Sequence, residues 1–277
     1  MVQGRKGGVK KMSKVIQMEL FWGTLIVLGC NSQGIENPSQ DVPSPNCVRI
    51  SIPAYFYPGS IWDQAISGAP ATAFMTMNPS NGVGESIDSE YVEVVANAQQ
   101  AGVMVLGYVY TDYGNRSSSI VKSEIDQYKE WYHIDGIFLD EVSSHSEDLP
   151  YYQDLYDYIL STPAGNPMGT FVKINPGTVP DEEYMQVADI VVVFEDDFSS
   201  YETRTFPDWI LTNYPSTRFE HLVINTPPDK FLHAWDLSRE RNAAWVYITD
   251  DDLDNPWDSL PSYWDDEVTK SNDSCSE

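Results

Sequence analysis

From residue 47 onward, short apolar runs alternate with amphipathic stretches. The runs are VRISIPAYFY (48–57), TAFMTMN (72–78), VMVLGYVYT (103–111), GIFLD (136–140), TFVKIN (170–175), DIVVVFE (189–195), HLVIN (221–225) and AAWVYIT (243–249). Most are β-branched or aromatic and almost continuously apolar, as strands covered on both faces are. Helix-like segments lie between several of them. SIDSEYVEVVANAQQAG offers Asp88 and Ser89 as caps and stops at Gly102. SSSIVKSEIDQYKEWY places Ile120, Ile125, Tyr128 and Trp131 at roughly helical spacing. LPYYQDLYDYILS and FPDWILTNY are further candidates. Eight strand-like runs interleaved with helices predict an α/β protein, a single (β/α)8 TIM-type barrel over residues 47–265. A doubly wound open sheet is the alternative, but no G-x-G-x-x-G follows the first run.

The first 46 residues break this pattern. Arg5, Lys6, Lys10, Lys11 and Lys14 form a basic region ahead of a short apolar stretch, Leu20 to Leu28. That stretch is shorter than the ~20 apolar residues a spanning helix needs, so residues 1–29 read as a signal peptide. It closes on Val27-Leu28-Gly29-Cys30, which resembles the lipobox of bacterial lipoproteins, with Cys30 as the lipidated residue. Residues 30–46 then form a polar linker. The expected location is exported, anchored to the membrane only through the lipid, and otherwise secreted. Cys47 and Cys275 flank the folded region, and an exported protein meets oxidising conditions. Their pairing is left open, because Cys275 falls in residues 266–277, which read as an acidic, polar tail.

Composition narrows the partners. Lys plus Arg number 16 against 42 Asp plus Glu, a formal charge of −26. Such a surface repels nucleic acid and anionic lipid. A monomer is expected.

Polar residues follow almost every strand-like run, at the end of a barrel where chemistry sits. They are Tyr57, Asn78, Asp112, Asp140 with Glu141, Asn175, Glu195 with Asp196, Asn225, and Asp250 with Asp251. Asn78, Asn225 and Asp250 read as turn residues or caps. Asp140 and Glu195 end the fourth and sixth runs. Inward side chains of alternate strands share a layer, so these two are expected to face each other across the mouth.

Two facing carboxylates among aromatics suit glycoside hydrolysis, in which one protonates the leaving oxygen and the other attacks the anomeric carbon or activates water. Ends two strands apart start at ~10 Å, which leaves retaining and inverting geometries both open. Tyr55, Tyr57, Trp62, Tyr108, Tyr110 and Tyr113 are expected around the rim. Tyr55, Tyr57, Tyr108 and Tyr110, with Asp112 and Asn175, are the substrate-binding candidates.

Other chemistries find less support. No G-x-S-x-G or H-E-x-x-H occurs, and His133, His145, His221 and His233 are scattered. DDDLDN (250–255) lacks the glycine and glutamate of a calcium loop. No metal or cofactor is expected. Lys173 is the rival: a strand lysine inside a barrel can form a Schiff base, although pairing with a barrel carboxylate explains it as well.

Four ordered stretches resemble the spherulin-4 (spherulation-specific family 4) proteins: YFYPGSIWD (55–63), MNPSNGVGESIDSEY (77–91), GVMVLGYVYTDYGNRS (102–117) and VKSEIDQYKEWYHIDGIFLDE (121–141). The resemblance implies a (β/α)8 hydrolase of α-1,4-linked N-acetylgalactosamine or galactosamine polysaccharide whose essential acids match Asp140, Glu141 and Glu195. Asp140 is then the expected nucleophile, Glu195 the general acid/base and Glu141 an orienting acid. Two departures stand out. Gly82-Val83-Gly84 replaces an expected Gly-Pro-Gly, and Asp112 stands where glycine is common. A non-catalytic carbohydrate-binding barrel is the second reading, and a Lys173 lyase the third.

Overall fold

Eight strands form where the apolar runs placed them. They are β1 (Arg49–Ala54), β2 (Thr72–Met77), β3 (Met104–Tyr110), β4 (Gly136–Asp140), β5 (Phe171–Ile174), β6 (Ile190–Asp197), β7 (Phe219–Ile224) and β8 (Trp245–Ile248). The computed structural model describes residues 47–161, 169–252 and 254–276. The expected signal peptide, Cys30 and the linker lie outside them. Each strand pairs in parallel with the next, and β8 returns to β1 to close the barrel. This is the (β/α)8 arrangement. β6 shifts register between Val192 and Phe194 and runs on past Glu195 to Asp197.

The helices are α1 (Ser60–Ser67), α2 (Ser89–Gln100), α3 (Ser118–Tyr132), α4 (Leu149–Leu160), α5 (Phe198–Thr203), α6 (Asp208–Thr212), α7 (Phe231–Glu240) and α8 (Trp264–Ser276). Asp88 caps α2, its carboxylate accepting the Glu90 N–H at 2.9 Å. On α3 the buried face is Val121, Ile125, Tyr128 and Tyr132. Ile120, expected on that face, is instead 55% exposed. Val121 is one residue further on and continues the four-residue spacing to Ile125, so the core takes it and turns Ile120 outward.

The expected polar tail is also different. Residues 264–276 are a helix, α8, that packs on the start of β1. Its Ser271 and Ser274 hydroxyls donate to the Val48 carbonyl at 2.9 and 3.2 Å, and Ser274 Oγ accepts the Val48 N–H at 3.1 Å. Cys47 and Cys275 form a disulfide across the same junction. Serines of the expected polar tail thus satisfy buried backbone groups.

Inside the barrel, Ser51 of β1, Lys173 of β5 and Glu220 of β7 form one polar cluster. Lys173 Nζ lies 2.5 Å from Glu220 Oε2 and donates to Ser51 Oγ at 2.6 Å, while Ser51 donates to Glu220 Oε1 at 3.0 Å. All three come from odd-numbered strands, as one layer of such a barrel requires.

Candidate active site

Asp140 ends β4 and Glu195 lies near the end of β6, so both carboxylates emerge at the mouth. The strand between them supplies their link. Asn175 follows β5, and its Nδ2 donates to Asp140 Oδ1 at 2.9 Å and to Glu195 Oε2 at 2.5 Å. Those oxygens therefore lie no further apart than 5.4 Å, the sum of the two bonds. The amide is oriented from behind, because Asn175 Oδ1 accepts the Gly177 N–H at 2.9 Å. An acceptor there leaves only the NH2 group to face the acids. Tyr108 completes the cradle, its hydroxyl donating to Asp140 Oδ2 at 2.8 Å.

Electrostatics separate the two acids. Burial pushes both carboxyls up. For Asp140 the rise is opposed by the hydrogen bonds from Tyr108, the Glu141 backbone and Asn175. Glu195 has Asn175 alone to offset burial and the neighbouring Asp140 charge, and is pushed up to about 7. Near neutral pH the pair thus holds an ionised Asp140 beside a Glu195 that carries a proton much of the time.

Glu141 sits one residue beyond, in left-handed backbone with φ 49°. Its carboxyl is raised by burial and by the charges of Asp140 and Asp112. Opposite it, Asp112 and Tyr113 are also left-handed, with φ 49° and 54°. The Glu141 carbonyl accepts the Tyr113 N–H at 2.7 Å, locking the two turns together. Asp112 tolerates the conformation that glycine adopts freely, which accounts for this departure from the resembled pattern. A cleft of about 200 Å³ opens over these groups, lined by Tyr113, Asp140, Glu141, Asn175, Pro176, Gly177 and Glu195.

The other candidates divide. Tyr55 packs edge-on against Tyr108, ring centroids 5.4 Å apart, beneath the acids. Its hydroxyl is raised by burial and by the Asp140 charge. Tyr110 pairs with Asp140 in register, but its ring is covered by the Arg116 guanidinium at 4.0 Å. Tyr57 is not at the acids: its hydroxyl bonds Asp88 and its ring packs on Tyr91. Trp62 is wholly buried and donates to the Phe56 carbonyl. Facing along the strand end does not fix which way the following loop turns: that loop carries Tyr57 away, and Trp62 lies beyond it on the buried face of α1.

Lys173 is fully buried in the interior cluster, and burial lowers its pKa, a fall that Glu220 opposes without reversing. Enclosed there, it offers no amine to a substrate at the mouth. Asp250 and Asp251 are loop fasteners, accepting from Ser262 and Ser259 respectively. Pro176 and Gly177 were not singled out from sequence. An asparagine followed by Pro-Gly at a strand end was the available signal.

A closed (β/α)8 barrel with two amide-bridged carboxylates at the carboxyl ends of its strands defines the architectural class. The spherulation-specific family 4 model matches residues 49–270, and the chain belongs to that family. Spherulin-4 of Physarum polycephalum is 33% identical over 169 residues, which are 59% of this chain and 49% of that protein. The chain thus spans about half the length of this curated relative. Sph3 of Aspergillus clavatus, solved in complex with GalNAc, superposes with a TM-score of 0.72 at 24% identity, covering 83% of this chain and 98% of Sph3. A maltogenic α-amylase, AmyB of Thermotoga neapolitana, shares the fold with a TM-score of 0.53 at 9% identity, over 84% of this chain and 77% of its own.

Proposed function

We propose that this chain is a glycoside hydrolase that cleaves α-1,4-linked N-acetylgalactosamine or galactosamine polysaccharide with Asp140 and Glu195. The observation that carries the reading is the Asn175 amide shared by both carboxylates. It keeps the two nearest oxygens no further apart than 5.4 Å, which supports the close pair of a retaining mechanism over the wider inverting gap. Asp140, held ionised by its three donors, attacks the anomeric carbon as the glycosidic oxygen leaves. Glu195 gives that oxygen its proton. Water then enters, Glu195 takes a proton from it, and the resulting hydroxide displaces Asp140 from the sugar, restoring both groups. Glu141, half-buried beside the pair, orients the bound sugar, and Tyr113 offers its exposed ring to a sugar face.

The sugar class is supported by family membership and by the GalNAc complex of Sph3. The test is incubation with defined glycans followed by mass spectrometry of the products. Shortened N-acetylgalactosamine oligomers are expected. Binding without cleavage would instead identify a carbohydrate-binding barrel.

Export is part of the same proposal. The Cys47–Cys275 disulfide suits an oxidising compartment, and Cys30 is proposed as the lipidated residue. Cys30→Ser should release the protein from the membrane fraction. Unchanged membrane association, with no lipid mass on the wild-type N-terminus, would remove the anchor.

A further inference from the structure

A second groove, of about 550 Å³, lies between the loop after β2 and the exposed face of α3. Ser80, Asn81 and Glu85 line one wall, and Ile120, Ser123 and Gln127 the other. The side chains of Ser80, Asn81, Glu85, Ser123 and Gln127 make no hydrogen bond or ion pair with any described residue. Their hydroxyl, amide and carboxylate groups are free for a ligand. Among them Ile120 presents an apolar surface that is 55% exposed. Hydrogen-bonding groups on both sides of a small apolar surface match a sugar ring, with hydroxyls at its rim and C–H bonds on its faces.

The groove is built and held. Glu124, buried at its floor, accepts the Val83 N–H at 3.1 Å and pairs with Arg116 at 2.6 Å. A proline at position 83 would lack that donor, so the departure from Gly-Pro-Gly gives the loop an anchor. Gly82 allows the close approach, since a side chain there would meet Glu124 Oε1 at 2.0 Å. Asn78 Oδ1 accepts the Gly82 N–H at 2.9 Å and closes the turn.

Arg116 ties the groove to the strand that pairs with the candidate acid Asp140. Arg116 forms part of the groove wall, stacks on Tyr110 and donates to the Tyr110 carbonyl at 2.9 Å. Tyr110 is the strand partner of Asp140, and Tyr113, three residues before Arg116, lines the catalytic cleft.

We infer that the groove between the 80–85 loop and α3 is a distal saccharide subsite, binding an uncharged, hydroxyl- and acetamido-bearing sugar unit of the same polymer chain that occupies the acids. This rests on the proposed hydrolase reading for its substrate, but it is tested by binding rather than turnover. The probes are N-acetylgalactosamine α-1,4 trimer and octamer, titrated against Asp140→Asn protein by calorimetry, alone and combined with Ser123→Trp or Gln127→Ala. Ser123 is exposed on α3, so the indole fills the groove without entering the core.

The octamer is expected to bind more tightly than the trimer, and Ser123→Trp should cut the octamer-to-trimer affinity ratio at least tenfold. Gln127→Ala should cut it in the same direction by less. Equal affinities for the two oligomers, no octamer binding, or a ratio unmoved by both variants would overturn the inference. Failure of the hydrolase reading registers separately, as absence of cleavage by the wild-type chain.

Discussion

Asp140 and Glu195 are held against a single nitrogen, the Asn175 amide, at 2.9 and 2.5 Å. One neutral NH2 group cannot offset two buried negative charges, so the pair is most stable with one proton. Because Asp140 has more donors, the proton resides on Glu195.

This sets the pH dependence. The kcat/KM profile should be bell-shaped, with an alkaline limb near pH 7 from Glu195 and an acid limb from Asp140, above the ordinary value of 3.8. Asp140→Asn and Glu195→Gln should each lower turnover at least ~10²-fold. Asp140→Asn should also move the Glu195 titration below 7, while burial, the larger cause, keeps it above 4.5. Carbon-detected NMR of labelled glutamates reads this directly; an unmoved titration would show that the charges do not interact.

Tyr108→Phe isolates one donor. The ring keeps its packing against Tyr55 and Phe138, and only the hydroxyl on Asp140 is lost. A hydrogen bond to a charged group contributes ~1.5–3 kcal/mol, so the acid limb should rise by roughly one to two pH units. A lower kcat with the acid limb in place would mean that Tyr108 acts on the sugar and not on Asp140.

Lys173 and Glu220 test the interior. Lys173→Met leaves Glu220 buried without its counter-charge and should cost about 3–5 kcal/mol in urea unfolding. Adding Glu220→Leu should recover most of that loss, since both charges are then gone. Borohydride with an aldehyde should trap no adduct on Lys173. A trapped adduct would revive Schiff-base chemistry.

Glu267 of α8 makes a different prediction. It is fully buried, accepts the Ile248 N–H at 3.2 Å, and its Oε2 has no partner among the described residues. Burial raises its pKa well above 4.5. A carboxyl raised on folding contributes stability that is fully present below its unfolded pKa and is lost as pH rises from there through the folded value. Glu267→Gln keeps the shape and removes the titrating group, so it should flatten the fall in Tm above pH 4.5 and raise Tm at pH 7. A Tm that still falls equally would place the responsible carboxyl elsewhere.

The sequence by itself determined the strands, their order and the end of the barrel at which the two candidate acids lie. Continuous β-branched runs can be buried only in a sheet covered on both faces, and Asp140 and Glu195 were legible as charges at the ends of alternate strands. It did not decide which groups surround them. Asn175 read as one polar strand end among many; only the closed barrel sets its amide between β4 and β6. Ile120 read as core and Ser271 and Ser274 as tail, because periodicity and composition do not say which neighbour an element meets. Tyr57, Trp62 and Lys173 shared the polar or aromatic signal of the site. Loop direction and the depth of a layer, both tertiary properties, sent them elsewhere.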